Sequence, residues 1–120
     1  MAFDWKEYLA LAQYLQSFSS ATVSPEAALR CASSRAYYAA YCHARNYAIA
    51  KQGFVPTGSP QDHTRLRTHF QGQRMPVIAT GLDKLRIWRN DCDYDDAVPN
   101  LAATVAASLI EANQIVGTLV

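Results

Sequence analysis

The sequence lacks an excess of charge of either sign, and it lacks a long apolar run. Its 11 basic residues nearly balance 10 acidic ones, for a formal net charge of +1. No global field therefore draws the chain onto nucleic acid or a membrane, and any nucleic-acid site must be a local patch. A membrane-spanning helix needs roughly 18 consecutive apolar residues, and polar side chains interrupt even the richest stretch, residues 101–120. We expect no membrane association.

Cysteine is also scarce. Cys31, Cys42 and Cys92 form no CxxC pair and no Cys/His group at zinc spacing, so we expect no metal site. The odd count, without a signal-like first segment, predicts a reducing, cytoplasmic location. We expect Cys31 and Cys42 in a helix core or at an interface. No glycine-rich phosphate loop or catalytic triad is present, and no cofactor is expected.

The residues that are present favour helices. Half of the chain is apolar and 18% is charged, which is typical of a globular protein. Alanine and leucine dominate the apolar residues, so we predict an all-α fold. Capping residues, prolines, glycines and apolar spacing predict one domain, residues 1–120, built as an up-and-down bundle of four to five helices. The predicted helices span residues 4–17, 25–51, 61–71, 77–94 and 99–119, and Asp95 and Asp96 are candidate caps for the last one.

The second predicted helix is unusually long and has two distinct sides. Small residues spaced by four, including Ala32, Ala36 and Ala40, predict a face that packs closely against other helices. Arg30, Arg35 and Arg45 predict a polar side. Two interpretations are open for the four tyrosines at positions 37, 38, 41 and 47: they stack on bases, or they belong to the core.

Polar residues cluster at the end of the fourth predicted helix. One helical turn separates Arg89 from Asp93 and Asn90 from Tyr94, and Arg86 lies one turn before Asn90. Guanidinium, amide and phenol groups together can hold a phosphate. The alternative is a solvated helix face with an Arg89–Asp93 ion pair.

A histidine- and arginine-containing stretch covers residues 63–74. It predicts either a basic patch for phosphate groups or an ordinary surface helix. His63 begins this stretch, and His43 lies among the tyrosines of the second helix. We take His43, His63, Arg35 and Tyr38 as candidate binding residues, together with Arg86 and Asp93 from the late cluster.

Two of these segments resemble signatures of the HEPN superfamily of small helical domains. The first, residues 34–45, reads SRAYYAAYCHAR, and the second, residues 85–95, reads LRIWRNDCDYD. His63 also lies where such proteins commonly carry a histidine before an aromatic residue of the third helix, here Phe70. The resemblance covers most of the chain, from Pro25 onward, with both segments in the family's order.

The resemblance implies a helical bundle that forms a homodimer, with the late-helix arginines of two subunits facing one cleft. Many members are metal-independent endoribonucleases, and several are toxins paired with a small nucleotidyltransferase. Arg89 and Asn90 match the arginine and polar residue of the ribonuclease motif. The motif's histidine is absent, because Tyr94, Asp95 and Asp96 occupy the candidate positions. Tyrosine has a pKa near 10, whereas that of histidine is about 6.5, so a tyrosine is a poor substitute for histidine as a proton carrier at neutral pH.

Three hypotheses follow. The first is a homodimer that binds RNA or a nucleotide through Arg89, Asn90 and Tyr94, within a toxin–antitoxin or nucleotidyltransferase-linked module. The second is an active ribonuclease in which Tyr94, His43 or His63 replaces the missing histidine. The third is a non-catalytic module that binds a protein partner. Apolar residues of the late helices serve either a dimer interface or the monomer core: Trp88, Val98, Leu101 and Val105.

Overall fold

The computed structural model describes residues 2–120, which form five α-helices and no strand. The helices are α1 (Lys6–Gln16), α2 (Pro25–Gln52), α3 (Asp62–Gly72), α4 (Pro76–Tyr94) and α5 (Leu101–Thr118). The predicted all-α class is confirmed, and every predicted helix end lies within two residues of the observed one. None of the helices in residues 2–120 combines the length and the apolar character needed to cross a membrane.

Local capping explains where α1 and α2 begin. The Asp4 carboxylate accepts a hydrogen bond from the backbone N–H of Lys6 at 3.0 Å. The Ser24 hydroxyl accepts one from the N–H of Ala27 at 3.1 Å, directly before the proline that starts α2. Both bonds satisfy N–H groups that a helix leaves unpaired in its first turn. At the other end of α2, Gly53 adopts a left-handed φ of 69°, a conformation that glycine takes without steric cost.

The long helix α2 is the centre of the fold. It packs against α1, α4 and α5, while α3 packs on α4. Its 28 residues span about 42 Å, close to the molecule's longest dimension of 47 Å. The predicted small-residue face is fully buried, with 0% exposure at Ala32, Ala36, Ala40, Ala44 and Ala48. Because these side chains are short, neighbouring helices approach α2 closely along this face.

The late helices pack mainly into the same core. Val105 is fully buried, and Trp88 and Leu101 pack against the core with partial exposure. Most of the apolar surface that the sequence offered to a dimer therefore belongs to the monomer. Gly81 allows α4 to approach α5, because a Cβ at this position would collide with Glu111 and lie 3.1 Å from Ile115 Cδ1.

One sequence prediction is wrong in the structure, and the core alternative of a second is excluded. Asp95 and Asp96 do not cap α5: Asn100, in a left-handed conformation with φ of 55°, precedes that helix without a side-chain cap. The chain needs six residues to turn from α4 to α5, so the two acids lie too far ahead of the helix start. Cys31 is exposed, whereas Cys42 is buried as predicted. Position 31 lies on a part of α2 that no neighbouring helix covers.

Candidate functional site

A cleft of about 470 Å³ opens between α2, the end of α4 and the beginning of the chain. Its α2 wall is a stripe of residues spaced by three or four positions, so that they lie on one side of the helix. Its α4 wall comes from the late polar cluster. We call it the arginine–tyrosine cleft, and its lining residues are Trp5, Tyr8, Ser34, Arg35, Tyr38, Tyr41, Cys42, Arg45, Arg89 and Asp93.

Arg89 lines this cleft and lies against two tyrosine rings. Its Cζ is 5.3 Å from the ring centroid of Tyr38 and 5.5 Å from that of Tyr94. Its Nη1 donates a hydrogen bond to the amide oxygen of Asn90 at 3.1 Å. Its Nε lies 2.8 Å from Asp93 Oδ2, yet the N–H does not point along this line, and Nε is buried without a hydrogen-bond partner. Within residues 2–120 Arg89 Nη2 has no hydrogen-bond partner, so this nitrogen, and not the enclosed Nε, is the donor left for a ligand.

Arg35 and Arg45 extend the positive charge along α2. The Cζ of Arg35 lies 4.9 Å from the ring centroid of Tyr8 and 5.4 Å from that of Tyr38. The Cζ of Arg45 lies 5.9 Å from the ring centroid of Trp5. Within residues 2–120, neither guanidinium forms an ion pair; each donates to a neutral neighbour, Ser34 or Asn46. Stacking on aromatic rings fixes the guanidinium planes while their N–H edges stay available.

The charge balance of the cleft differs from that of the whole chain. Three guanidiniums face one carboxylate, Asp93, although the chain carries a net charge of only +1. The carboxylate is also bound within the site: it pairs with Arg89, and it accepts a hydrogen bond from the Ser34 hydroxyl at 3.4 Å. The cleft is therefore a local positive patch with aromatic walls, the combination that binds a phosphate beside a planar ring.

His63, at the start of α3, lies against Tyr41 of this cleft but lines a neighbouring pocket. Its ring stacks on Tyr41 with centroids 4.0 Å apart and an interplanar angle of 6°. Its Nδ1 forms a short hydrogen bond with the Tyr37 hydroxyl. Burial, and then the guanidiniums of Arg67 and Arg89, lower the pKa of His63. Since the ordinary value is about 6.5, the imidazole is neutral at pH 7. Burial raises the pKa of Tyr37, so its phenol keeps its proton.

A second pocket, of about 520 Å³, adjoins the cleft between α2 and the α2–α3 connection. Tyr41 and Arg45 line both spaces. We call it the α2–α3 pocket, and its remaining lining includes Asn46, Ile49, Pro56 and His63. The two spaces therefore lie side by side along α2, with Arg45 at their junction, and we call the two together the groove.

Asp62 also borders the α2–α3 pocket, and its carboxylate is already engaged. It accepts hydrogen bonds from the Thr57 hydroxyl at 2.7 Å and the Gly58 N–H at 2.8 Å, and it pairs with Arg65 at 2.8 Å. These bonds, that of the Thr57 side chain first, hold the pKa of Asp62 well below its ordinary value. The carboxylate closes the turn before α3, and Arg65 balances its charge.

The structure brings most of the predicted site residues together. Arg35, Tyr38, Arg89 and Asp93 line the cleft. Asn90 binds Arg89 from beside it, and His63 reaches the same groove through Tyr41. The segments that carry the HEPN resemblance therefore supply its two long walls, one from α2 and one from α4.

Three residues that the sequence predicted for the site do not line the cleft. Arg86 binds Asp83 rather than Asn90, with N–O distances of 2.9 and 3.1 Å. His43 hydrogen-bonds through Nε2 to the Leu119 carbonyl, so it ties α2 to the C-terminal segment away from Arg89. Tyr94 ends α4 with 72% of its surface exposed, and its ring lies against Arg89 without lining the cleft.

Sequence reasoning missed Trp5, Tyr8, Tyr41 and Arg45 as cleft residues. A signal was available for two of them, because positions 34, 38, 41 and 45 follow the spacing of one helix face. No such signal existed for Trp5 and Tyr8. They come from α1 and its N-cap, and only the packing of α1 on α2 places them opposite Arg45 and Arg35.

Comparison with known proteins gave no match: no family model, no curated protein and no solved structure is significantly similar to this chain.

Proposed function

We propose that this protein is a HEPN-like domain that binds RNA or a nucleotide in the arginine–tyrosine cleft. The observation that carries the proposal is the set of three arginines, Arg35, Arg45 and Arg89, held against aromatic rings with N–H groups to spare. Planar guanidiniums bind phosphate oxygens through paired N–H groups, and exposed ring edges and faces stack on bases. The volume of about 470 Å³ lies within the usual range for small-ligand sites.

Arg89 is the expected centre of phosphate binding. Its Nη1 binds Asn90 and its Nε lies enclosed beside Asp93, so Nη2 is the donor that a phosphate would meet. Asp93 and Asn90 hold the guanidinium in place from either side. Tyr38 supplies the surface beneath it.

Binding is tested with a labelled pentauridylate titrated by fluorescence anisotropy at several salt concentrations. We expect measurable affinity that falls as salt rises, because phosphate contacts release counterions. Arg89→Ala should weaken binding by about tenfold or more, the loss of one charge-assisted contact. Lys84→Ala is the matched control, since it removes one positive charge from the same helix outside the cleft. Salt-independent binding, or equal losses in both variants, would contradict the proposal.

The homodimer and the nucleotidyltransferase-linked or toxin–antitoxin module remain part of this proposal. The exposed Tyr94 ring beside Arg89 supports a dimer that would place a second chain there. Sedimentation of the wild type and Tyr94→Asp tests this: the wild type should be dimeric and the variant monomeric. For the module, we expect a neighbouring gene for a small nucleotidyltransferase whose product co-purifies with this chain.

His63 supports a second candidate function, metal-independent RNA cleavage. A neutral imidazole lines the adjoining α2–α3 pocket. The Tyr38 ring lies between it and Arg89, with its centroid 6.3 Å from that of the imidazole and 5.3 Å from Arg89 Cζ. With Nδ1–H donated to Tyr37, Nε2 would accept the proton of a ribose 2′-hydroxyl. The 2′-oxygen then bonds to phosphorus, and the bond to the 5′-oxygen breaks. That oxygen takes a proton from water, which leaves a 2′,3′-cyclic phosphate and a 5′-hydroxyl.

Cleavage is assayed on single-stranded RNA in the presence of a metal chelator. We expect products with cyclic phosphate ends from the wild type and none from His63→Gln. His69→Gln is the control on the same helix, because His69 binds Gln52 outside the groove. Tyr94→His, which places an imidazole beside Arg89, should raise the rate. A wild type that leaves RNA intact would remove this candidate and leave binding untouched.

A further inference from the structure

The groove is longer than one nucleotide. The arginine–tyrosine cleft and the α2–α3 pocket have volumes of about 470 and 520 Å³, and each alone is of the size that accommodates a small ligand. Tyr41 and Arg45 line both spaces, so the two lie side by side along α2. A mononucleotide seated on Arg89 would leave the second space empty.

Arg45 occupies the junction and suits a phosphate that links two nucleosides. Its Cζ lies against the Trp5 ring, and its Nε donates to the Asn46 side chain at 3.1 Å. It forms no ion pair with any carboxylate in residues 2–120, although Asp62 borders the adjoining pocket. Asp62 is paired with Arg65 instead. The guanidinium at the junction is therefore free to meet an anion.

The α2–α3 pocket has the chemistry of a base-binding site. Ile49 and Pro56 offer an exposed apolar surface, and Ile49 is 43% exposed, with no neighbouring helix to cover it. Asn46 and His63 add neutral groups that form hydrogen bonds. An apolar surface with a few neutral polar groups accepts a planar base better than it accepts a second phosphate.

We propose that this groove binds a single-stranded nucleic acid segment of at least two nucleotides. One nucleotide lies in the arginine–tyrosine cleft on Arg89, the linking phosphate lies on Arg45, and the next base lies in the α2–α3 pocket. The inference rests on the proposed binding function and specifies its ligand: a strand, and not a free mononucleotide.

Calorimetric titration with uridine monophosphate and with the 5′-phosphorylated dinucleotide pUpU tests this arrangement. We expect the dinucleotide to bind the wild type at least tenfold more tightly than the mononucleotide. Ile49→Ala changes only the α2–α3 pocket and should reduce that gain without changing affinity for the mononucleotide. Asn46→Ala also removes the acceptor of Arg45 Nε and should remove most of the gain. Arg89→Ala should weaken both ligands. Circular dichroism melting checks that each variant is folded, and Ile49 is exposed enough for its truncation to preserve the fold.

The outcomes separate the two proposals. Absence of binding for both ligands would overturn the binding function itself. Equal affinities for the mononucleotide and the dinucleotide would leave the binding function standing and overturn the longer groove. The longer groove would also be overturned if Asn46→Ala and Ile49→Ala left the dinucleotide's advantage intact.

Discussion

Arg30 and Arg45 lie on the same helix, and their surroundings differ completely. The guanidinium of Arg30 donates to the carbonyls of Cys92, Asp95 and Asp96 at 2.9, 2.6 and 3.1 Å, and it pairs with Glu26. Arg45 donates only to the neighbouring Asn46 and lies over an aromatic ring. An arginine whose donors meet the protein's own acceptors stabilises the fold. One whose donors remain available is equipped for a ligand.

The largest loss of stability is expected when Arg30 is replaced. Arg30 satisfies carbonyls that the end of α4 leaves unpaired, and its positive charge lies at the negative end of that helix. Hydrogen bonds to a charged group contribute about 1.5–3 kcal/mol, so Arg30→Ala should lower the free energy of unfolding by about 2–3 kcal/mol. Urea denaturation measures this change.

Glu26→Ala serves as the control for Arg30→Ala. It removes only the exposed pair between Glu26 and Arg30, at 3.3 Å, which should contribute about 0.3–0.5 kcal/mol. If the two variants lose the same stability, the bonds to the end of α4 contribute little, and the contrast between Arg30 and Arg45 disappears.

A smaller effect on stability is expected from the ion pair between Asp62 and Arg65. Because its hydrogen bonds lower the pKa of Asp62, the carboxylate stabilises the folded state at pH values above about 3.9, the ordinary aspartate value. That stabilisation is lost as the pH falls below this value toward the lower pKa of the folded state. Melting temperatures followed by circular dichroism should therefore fall from pH 5 to pH 2 in the wild type, and less steeply in Asp62→Asn.

Parallel curves for the wild type and Asp62→Asn would show that the turn before α3 does not depend on an ionised Asp62.

The smallest effect on stability is expected at Arg35. Its contacts with Tyr8 and Tyr38 are partly exposed cation–π interactions, which contribute about 0.5–1 kcal/mol. Arg35→Ala should therefore stay within about 1 kcal/mol of the wild type in urea denaturation. It should nevertheless weaken binding of pentauridylate. A loss of stability as large as that of Arg30→Ala, with affinity unchanged, would assign Arg35 to the fold and remove it from the site.

Much of the fold could be predicted because its signals are local. The Ser24–Pro25 start and the Gly53 end of α2 depend on neighbours within one helical turn, and the alanine face depends on a fixed spacing. The start of α5 could not be predicted in this way. The helix begins after the left-handed Asn100, whereas the two acids proposed as caps lie nearer the end of α4, where their carbonyls bind Arg30.

The candidate site could be predicted only in part. The sequence identified four cleft residues, because they belong to polar clusters on α2 and α4: Arg35, Tyr38, Arg89 and Asp93. Trp5 and Tyr8 could not be identified because their role depends on how α1 lies across α2. His43 and His63 are equivalent candidates in the sequence, and the structure separates them. One binds the Leu119 carbonyl, and the other stacks on Tyr41 at the groove.

The helical class, the positions of the helices and the buried alanine face of α2 follow from propensity, capping and periodicity along the chain. The different surroundings of three similar arginines on α2 do not: Arg30 is bound by the fold, and Arg35 and Arg45 line the cleft. The physical reason is that hydrogen-bonding capacity is used up by partners distant in sequence. Arg30 donates to carbonyls more than 60 positions away in the sequence. Arg35 and Arg45 lie against aromatic rings at the start of α1.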